Sequence, residues 1–451
     1  MNLSKLNSNR PHILLVNPWI HDFAAYDYWA KPMGLLTLAA ILDRHGCQVS
    51  YLDCLNRFHP LARNIDSKKR MGRGPYLKTP ITKPSGLKHI QRTYSRYGIL
   101  PEWFLMDLTA IKQPDLILVT SIMTYWYPGV IETIAFIRKV FLDVPIVLGG
   151  IYATLWPEHA RRVSGADQVV CGPAEAGILE LVKKYTGFSA SLQFDSLNLD
   201  EFPYPAYHLE HGLAHVPLLT TRGCPFHCSY CASTYLQPRR MVRSPFNVLD
   251  EILFWYKGHG VIDFAFYDDA LLVESERHAI PLFEGILKSG IPVRFHTPNA
   301  VHVREITAKV ARLMYRIGIH TLRLGLETTA FKDRNGLDSK VTATEFAEAV
   351  RHLKNAGFDS GRVGAYLLIG LPGQSEDAIK DSIEVVKASG IRPVLAQYTP
   401  VPHTALWDQA VAVSRYDLNA DPIFSNNAIF PCQTQDFSWD LITRFKQLIE
   451  A

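Results

Sequence analysis

Apolar and polar positions follow two different periods along the first 190 residues. Short, continuous apolar runs are typical of strands buried in a parallel sheet, and the segments between them have the three-to-four-residue apolar spacing of helices. The predicted strands lie at 12–19, 48–54, 114–122, 144–151 and 167–172, and the predicted helices include 31–46 and 127–141. Strand and helix alternate, so residues 11–190 are predicted to form an open, doubly wound (Rossmann-like) α/β domain. Such a domain binds its ligand at the carboxyl ends of the strands.

The same alternation resumes at residue 216. Strands are predicted at 216–221, 263–269, 293–299, 321–327, 362–373 and 393–400, with helices at 245–260, 275–289, 305–317, 343–356 and 375–389. About six β/α units are fewer than the eight of a closed TIM barrel, so residues 216–400 are predicted to form a partial (β/α)6 barrel of the TIM type. Polar residues at the carboxyl ends of barrel strands tend to carry chemistry, and here they are Asp268, Asp269, Asn299 and Glu327.

A basic insertion at 55–110 interrupts the first domain. Between Arg57 and Arg96 the chain has eleven Lys or Arg and one acidic residue, Asp66. Its Gly and Pro residues predict a long loop with little regular structure. Two interpretations stay open: a solvated surface insertion, and a lid or docking surface for an acidic substrate.

Two further segments lie outside the predicted domains. Residues 191–215 are punctuated by prolines and are predicted to be a linker, and 401–451 form a C-terminal extension. The linker contains His208, His211 and His215, whose spacing suits a metal ion only if the stretch is one helix. The prolines just before them argue against that.

The overall composition is that of an ordinary globular protein. The 451 residues are 47% hydrophobic and 20% charged, with a net charge of +4, which gives no clear nucleic-acid signal. No apolar run reaches the roughly 18 residues of a membrane span, and the polar first ten residues do not resemble a signal peptide. We therefore expect a cytoplasmic protein.

Three of the seven cysteines lie within eight residues, in the stretch TTRGCPFHCSYCAS (220–233). Their spacing is Cys224-x3-Cys228-x2-Cys231, directly after a predicted strand. Three thiolates hold three irons of a cubic [4Fe–4S] cluster and leave the fourth iron open, where a substrate can bind. A zinc site is an alternative, but His227 is too close in sequence to supply its fourth ligand comfortably. Three buried structural cysteines are a further alternative, although that role does not require such clustering.

This stretch resembles the signature of the radical S-adenosylmethionine (SAM) superfamily, including the aromatic Tyr230 before the last cysteine. The resemblance extends over 216 to about 400. It implies that Cys224, Cys228 and Cys231 bind a [4Fe–4S] cluster whose open iron chelates SAM. Reductive cleavage of SAM would then produce a 5′-deoxyadenosyl radical that abstracts a substrate hydrogen. Such enzymes need an electron donor such as flavodoxin or ferredoxin.

The resemblance also assigns roles to residues at later strand ends. Asp268 and Asp269 in FYDDA would contact the methionine end of SAM. In HTPNA, Asn299 would reach the ribose or carboxylate, and in LGLET, Glu327 would bond to the ribose or amino group. Ile369 and Gly370 in LIGLPGQ would face the adenine, with Gly373 shaping the turn. Structural roles are open too, because Asp269 would also serve as a helix cap and Gly373 as an ordinary turn residue.

The N-terminal domain is similar to that of the cobalamin-binding (B12-binding) radical SAM proteins. The glycine pair Gly149–Gly150 ends a strand where a flat ring could approach the backbone. The Asp-x-His-x-x-Gly motif that supplies histidine to cobalt is absent, and His21 is in the wrong frame, which implies base-off cobalamin. Five aromatic residues would floor the corrin ring, or fill its place by packing: Tyr125, Trp126, Tyr127, Tyr152 and Trp156.

Three functions follow from these observations. The first is cobalamin-dependent methylation of an unactivated carbon, with SAM serving as both methyl and radical source. The second is a cobalamin-free radical SAM enzyme that catalyses cyclisation, rearrangement or coupling. The third is a non-enzymatic iron–sulfur redox protein, which would need no SAM-binding strand motifs. The substrate, small or acidic, and the residue that would act on it cannot be read from the sequence.

Overall fold

The computed structural model of the protein describes residues 10–62, 66, 69–332, 334, 336–434 and 437–450. These residues divide into two compact units, one that ends at Ala214 and one that begins at His215. Each unit has its own parallel sheet. Within the described ranges, no helix is long and apolar enough to cross a membrane.

The first unit is built on a five-stranded parallel sheet. In spatial order its strands are Gln168–Val169, Ile146–Leu148, Leu116–Val119, His12–Asn17 and Gln48–Asp53. The first strand in sequence lies between the second and the third, so the connections leave it in opposite directions. This is the strand order of a doubly wound domain, and the switch point lies between His12–Asn17 and Leu116–Val119. The predicted fold of this unit is confirmed.

Both faces of this sheet are covered by helices. Leu14 and Val16 belong to one buried cluster, and the alternate residues Ile13 and Leu15 belong to the other. Side chains of a strand point alternately to opposite faces, so a run that is apolar at every position needs two covered faces. Helices Met33–Arg44 and Ile178–Thr186 pack on one face. The other face is covered by Pro101–Ala110, Tyr127–Val140, Ile151–Leu155 and Pro157–Val163.

The basic insertion is more regular than predicted. It contributes strands Lys78–Pro80 and Ser95–Tyr97, which form a three-stranded antiparallel sheet with Ile20–Asp22. A second small pairing joins Tyr26–Asp27 to Gly74–Pro75, and the helix Pro101–Ala110 closes the insertion. Most of the described residues between 57 and 96 are irregular, as predicted, but the short antiparallel pairings were not predicted. Strands of two or three residues are too short to show a period in the sequence, and their partners lie far away along the chain.

Several arginines of the insertion make internal contacts. Arg57 is buried in an ion pair with Asp27, with 2.9 Å between Nη1 and Oδ2. The guanidinium of Arg96 pairs with Glu132 and lies over the ring of Trp19. These positive charges are used within the first unit, so they do not form a solvated surface. Arg63 and Lys68 lie outside the described residues.

Part of the predicted linker packs on the first unit. Phe194 and Ala206 belong to a hydrophobic cluster of that unit, and the Ala206 N–H donates to the Leu36 carbonyl at 3.0 Å. Two short 3-10 turns, Leu199–Glu201 and Tyr207–Leu209, each bury one side chain, that of Leu199 and that of Tyr207.

The second unit contains six parallel strands that are adjacent in space in the same order as in the chain. They are Val216–Leu218, Asp263–Phe266, Arg294–His296, Ile319–Glu327, Val363–Ile369 and Arg392–Gln397. A short strand, Val301–His302, also pairs with the fourth. Parallel strands joined by helices place all their carboxyl ends at one edge. The predicted partial barrel of six units is confirmed.

Helices of the second unit follow the sequence signals closely. They are Pro245–His259, Ala279–Ser289, Ala308–Arg316, Ala343–Ala356 and Glu376–Ala388. Ala343–Ala356 begins with a capping box, in which Thr342 and Glu345 bond reciprocally to each other's backbone N–H, and ends at Gly357 with φ of 105°. Such caps place the helix ends, and with them the strands, within a few residues of the predicted positions.

The C-terminal extension adds helices Trp407–Val413 and Trp439–Glu450 and two 3-10 turns, Pro422–Ser425 and Asn427–Ile429. Leu406, Leu418 and Cys432 of the extension pack against Leu371 and Tyr398, which follow the fifth and sixth barrel strands. The extension is therefore part of the second unit and supports the strand ends that carry the site.

Candidate active site at the carboxyl ends of the barrel strands

The three clustered cysteines lie on one loop that leaves the first barrel strand. The loop begins at Gly223, whose φ is 78°; a Cβ there would lie 3.0 Å from the Arg239 carbonyl oxygen. Only glycine fits this position without strain. Cys224 and Cys228 are half-buried and Cys231 is exposed. The loop therefore presents three sulfur atoms from one short piece of backbone.

Asp268 anchors the start of this loop. Its Oδ1 accepts hydrogen bonds from the backbone N–H and the hydroxyl of both Thr220 and Thr221, at 2.5–3.0 Å. Burial raises the pKa of Asp268 to about 6, although these hydrogen bonds lower it. Within the described part of the chain, Oδ2 is buried without a hydrogen-bond partner. The predicted contact of Asp268 with SAM stays a prediction, to which the structure adds an anchoring role.

Asp269 follows Asp268 at the end of the second strand, and Asn299 lies at the end of the third. Asp269 is close enough to Cys224 to raise the pKa of that thiol, and the side chain of Ser233, two residues after Cys231, lowers the pKa of Asp269. Burial raises its pKa. The amide Nδ2 of Asn299 donates to the Tyr267 carbonyl at 2.8 Å, which ties the third strand end to the second. Their roles in binding SAM stay predictions.

Glu327 ends the fourth strand in a strained backbone conformation. Its φ is 66°, in the left-handed region that side chains with a Cβ rarely adopt, and the strand pairing shifts register there. The side chain is largely buried, and its Oε1 accepts from Lys340 Nζ at 2.6 Å. This strain aims a carboxylate into the same region as the cysteine loop.

Ile369 and Gly370 end the fifth strand. Gly370 has φ of 87°, and its N–H donates to Gln374 Oε1 at 2.8 Å. Gln374 also donates through Nε2 to the Leu368 carbonyl at 2.8 Å, so this one side chain holds the turn. Ile369 is fully buried. Gly373 has φ of 72°, which agrees with a turn residue. The predicted contacts with adenine stay predictions.

Two residues near the cysteines were not predicted from the sequence. Lys340 Nζ donates to both Glu327 and the Tyr230 hydroxyl, and His302 Nε2 lies 3.9 Å from Cys224 Sγ with its ring stacked on Phe226. Burial lowers the pKa of His302 to about 4, so the ring is neutral. Lys340 lies far from the cysteines in sequence, in an irregular segment without a motif, and no sequence signal marked it.

Burial controls the ionisation of the thiols. It raises the pKa of Cys228 to about 11, against the opposing effect of the Lys340 ammonium, and it also raises that of Cys224. Within the described ranges, no group of three or more His, Cys, Asp or Glu is placed to hold a single metal ion. A [4Fe–4S] cluster differs, because each thiolate binds its own iron. Three cysteine sulfurs on one loop that begins at Gly223 form a donor set that fits such a cluster.

In the first unit, the loop after the third strand packs directly against the loop after the fourth. Gly150 has φ of 95°, and a Cβ there would lie 2.2 Å from the Ser121 carbonyl oxygen. Ser121 Oγ donates to the Gly149 carbonyl at 2.6 Å. A Cβ at Gly149 would find its nearest neighbour at 3.9 Å, an ordinary contact. The loops after the third and fourth strands therefore form one surface with little side-chain bulk at Gly149, which suits a flat ring.

The predicted aromatic floor is largely inside the first unit. Tyr152 is fully buried, with its hydroxyl 2.8 Å from His159 Nδ1 and its ring stacked on Tyr127. Tyr125 is also buried. Trp126 is half-buried, and its Nε1 donates to Asp22 Oδ2 at 2.7 Å. Burial puts Tyr152 and Tyr125 in the core, so Trp126 and the two glycines remain the predicted contacts for a corrin ring.

His21 has a partner within the first unit. Its Nε2 lies 2.7 Å from Glu132 Oε2, in a network with Arg96. The imidazole of His21 is paired with a carboxylate, which agrees with the expectation that His21 is not a cobalt ligand.

Comparisons with known proteins match both units. Residues 218–386 match the radical SAM superfamily, and residues 105–182 match the B12 binding domain. The chain therefore contains a radical SAM domain preceded by a B12-binding domain.

Individual relatives are similar over most of the chain. An uncharacterized methyltransferase of Pyrococcus horikoshii is 27% identical over 70% of this chain and 74% of its own length. Cytidylyl-2-hydroxyethylphosphonate methyltransferase of Streptomyces wedmorensis is 22% identical, covering 84% and 76% respectively. Among solved structures, the radical SAM methyltransferase TsrM of Kitasatospora setae, with cobalamin and a [4Fe–4S] cluster bound, superposes with a TM-score of 0.64 at 17% identity, covering 91% and 76%. That likeness shows a shared fold.

Proposed function

We propose that this protein is a cobalamin-dependent radical SAM methyltransferase that methylates an unactivated carbon. The observation that carries the proposal is the combination, in one chain, of the three-cysteine loop with a B12-binding domain. When bound, the reduced [4Fe–4S] cluster supplies the electron that cleaves SAM, and cobalamin carries the methyl group. Two methyltransferase relatives that are similar over most of the chain support methylation as the reaction.

The residues of the second unit bind and orient. Cys224, Cys228 and Cys231 hold the cluster and leave one iron open. Asp268 holds the loop start in place, since its Oδ1 accepts all four donors of the two threonines. Glu327, Asp269 and Asn299 approach the same region from neighbouring strand ends and receive SAM. Ile369 and Gly370, at the end of the fifth strand, would face the adenine.

The residues of the first unit receive the corrin ring. Gly149 and Gly150 let a flat ring approach the backbone, and Trp126 borders the same surface. Because His21 is paired with Glu132, it would not serve as a ligand to cobalt if cobalamin binds here. A reductant protein such as flavodoxin or ferredoxin, working in the cytoplasm, completes the proposal.

The experiment is anaerobic purification with cobalamin supplied, followed by quantification of iron, sulfide and corrin and by an assay of SAM cleavage under reductant. We expect about four irons, about four sulfides and one base-off corrin per chain. Replacing Cys224, Cys228 and Cys231 by Ala should remove the cluster and SAM cleavage, whereas Cys171→Ser, at an exposed cysteine, should retain both. A cluster without corrin would support the cobalamin-free enzyme, and a triple variant that still cleaves SAM would contradict the site.

A further inference from the structure

Lys340 is a buried ammonium beside the cysteine loop. It is 8% exposed, although it follows an irregular segment at the end of the fourth strand. Burying a cation is unfavourable unless it is paired and hydrogen-bonded. Two partners are present: Glu327 Oε1 at 2.6 Å and the Tyr230 hydroxyl at 2.7 Å. The lysine is thus placed between a predicted SAM ligand and a residue of the cysteine motif.

Tyr230 brings this contact to the cysteine loop. Its hydroxyl accepts from Lys340 Nζ at 2.7 Å, and the residue lies between Cys228 and Cys231 in the motif. Hydrogen bonds therefore run from Glu327 through Lys340 to Tyr230, and the Lys340 ammonium is near enough to lower the pKa of the Cys228 thiol against the effect of burial. Hydrogen bonds and charges near the sulfurs of an iron–sulfur site set its reduction potential.

The segment that carries Lys340 is fixed at both ends. Arg334 donates to the Leu326 carbonyl at 2.9 Å and forms a buried ion pair with Asp338. The Leu337 carbonyl accepts from the backbone N–H of Ser229 at 2.9 Å, between Cys228 and Tyr230. These contacts hold the segment against both the strained strand end and the cysteine loop, so the position of the ammonium is determined by the surrounding structure.

The alternative is that Lys340 only neutralises Glu327. A single ion pair would account for that contact, but it would not account for the hydrogen bond to Tyr230. It would also leave unexplained why the carboxylate is held in a strained backbone conformation beside the loop. Because Lys340 contacts both Glu327 and Tyr230, the arrangement favours a function for all three side chains.

We propose that Lys340 is a positioning residue that orients Glu327 toward SAM and, through Tyr230, places positive charge beside Cys228. This inference rests on the proposed radical SAM function and deepens it. Lys340 occupies Oε1 of Glu327, so the second carboxylate oxygen receives the cofactor. The ammonium also stabilises added negative charge on the cluster and so favours its reduction.

The test measures two properties of the reconstituted protein apart from turnover: the reduction potential of the cluster, by a redox titration followed by electron paramagnetic resonance, and the affinity for SAM. Lys340→Met should make the potential more negative and weaken SAM binding about tenfold. Lys340→Arg keeps the charge and should keep the potential closer to that of the wild type. Lys309→Met, which removes an exposed ammonium of the same unit, should change neither property.

Two further variants separate the two effects. Tyr230→Phe keeps the pair of Lys340 with Glu327 but removes the hydrogen bond that holds the ammonium at the cysteine loop. It should therefore lower the reduction potential of the cluster and leave the affinity for SAM near that of the wild type. Lys340→Met combined with Glu327→Gln should weaken SAM binding no more than Glu327→Gln alone, because both act on one contact.

Unchanged potential and affinity in Lys340→Met would overturn the inference, as would a potential in Lys340→Arg shifted as far as in Lys340→Met. If Lys340→Met loses its iron, Tyr230→Phe decides: a lowered potential supports the inference and an unchanged one overturns it. A wild-type protein that lacks the cluster or leaves SAM intact would instead refute the proposed function itself.

Discussion

Asp268 and Thr220 are joined by a buried hydrogen bond of 2.6 Å between Oδ1 and the hydroxyl oxygen, at the ends of adjacent barrel strands. Thr221 bonds to the same oxygen atom. The cysteine loop starts two residues later, so the orientation of its first sulfur depends on a carboxylate in the neighbouring strand end. The site is thus built on contacts between strands as well as on the cysteine motif.

This anchor predicts a stability effect. Asp268→Ala removes the acceptor of four hydrogen bonds and leaves buried donors without a partner, so we expect it to lower the free energy of unfolding by about 3 kcal/mol. Asp268→Asn keeps one acceptor oxygen and should cost about 1 kcal/mol. Urea unfolding of the two variants, with iron content measured alongside, checks the prediction. Equal midpoints for Asp268→Ala and the wild type would show that the anchor is dispensable.

The glycine pair of the first unit predicts two different outcomes. Gly150→Ala forces a Cβ to within 2.2 Å of a backbone oxygen at positive φ, so it should destabilise the domain by at least about 2 kcal/mol. Gly149→Ala meets its nearest neighbour at an ordinary 3.9 Å and should leave unfolding unchanged. If a corrin ring lies against this backbone, Gly149→Ala should still lower cobalamin occupancy. Full occupancy in a normally folded Gly149→Ala protein would place the ring elsewhere.

The charges of the basic insertion predict a contrast between buried and exposed positions. Arg57→Met removes the buried guanidinium that pairs with the Asp27 carboxylate and donates to the Gly72 carbonyl, so it should lower the free energy of unfolding by about 3 kcal/mol. Lys78 and Lys88 are exposed, and replacing both by Met should change stability by less than about 0.5 kcal/mol. The double variant also tests docking of an acidic substrate. If association of an acidic substrate depends on salt in the wild type but not in the double variant, docking on this surface is supported. The same salt dependence in both proteins would favour a surface without a docking role.

Glu132 predicts how stability depends on pH. Burial raises the pKa of this carboxyl, but hydrogen bonds and charge from His21 and Arg96 outweigh burial and hold it at about 2. A carboxylate whose pKa is lower in the folded state stabilises the fold at pH above its unfolded value and loses that effect as pH falls toward 2. The group is partly exposed, so the contribution after screening is about 1–2 kcal/mol.

The corresponding measurement compares wild type with Glu132→Gln. At pH 7 the variant should be less stable by that amount, and the difference should shrink between about pH 4.5 and pH 2. Circular dichroism during urea unfolding at several pH values follows it. A difference that stays constant over this range would mean that the carboxylate charge contributes nothing.

The sequence alone determined the architecture and predicted the cluster ligands. Apolar runs such as HILLVN and helix caps such as Thr342 act locally, over a few neighbouring residues, so they can be read in order along the chain. The cysteine spacing is equally local, because one loop supplies all three sulfurs. The short strands of the insertion were missed, since their pairing with Ile20–Asp22 leaves no periodic pattern.

Tertiary structure decided which side chains surround those ligands. Lys340 and Tyr230 are far apart in the chain and meet only because the segment after the fourth strand folds back onto the cysteine loop. Tyr152, predicted to lie under a corrin ring, is instead buried against Tyr127 and His159. Aromatic residues in a loop have the same sequence signal whether they face a ligand or the core. Their burial depends on neighbours that only the folded chain brings together.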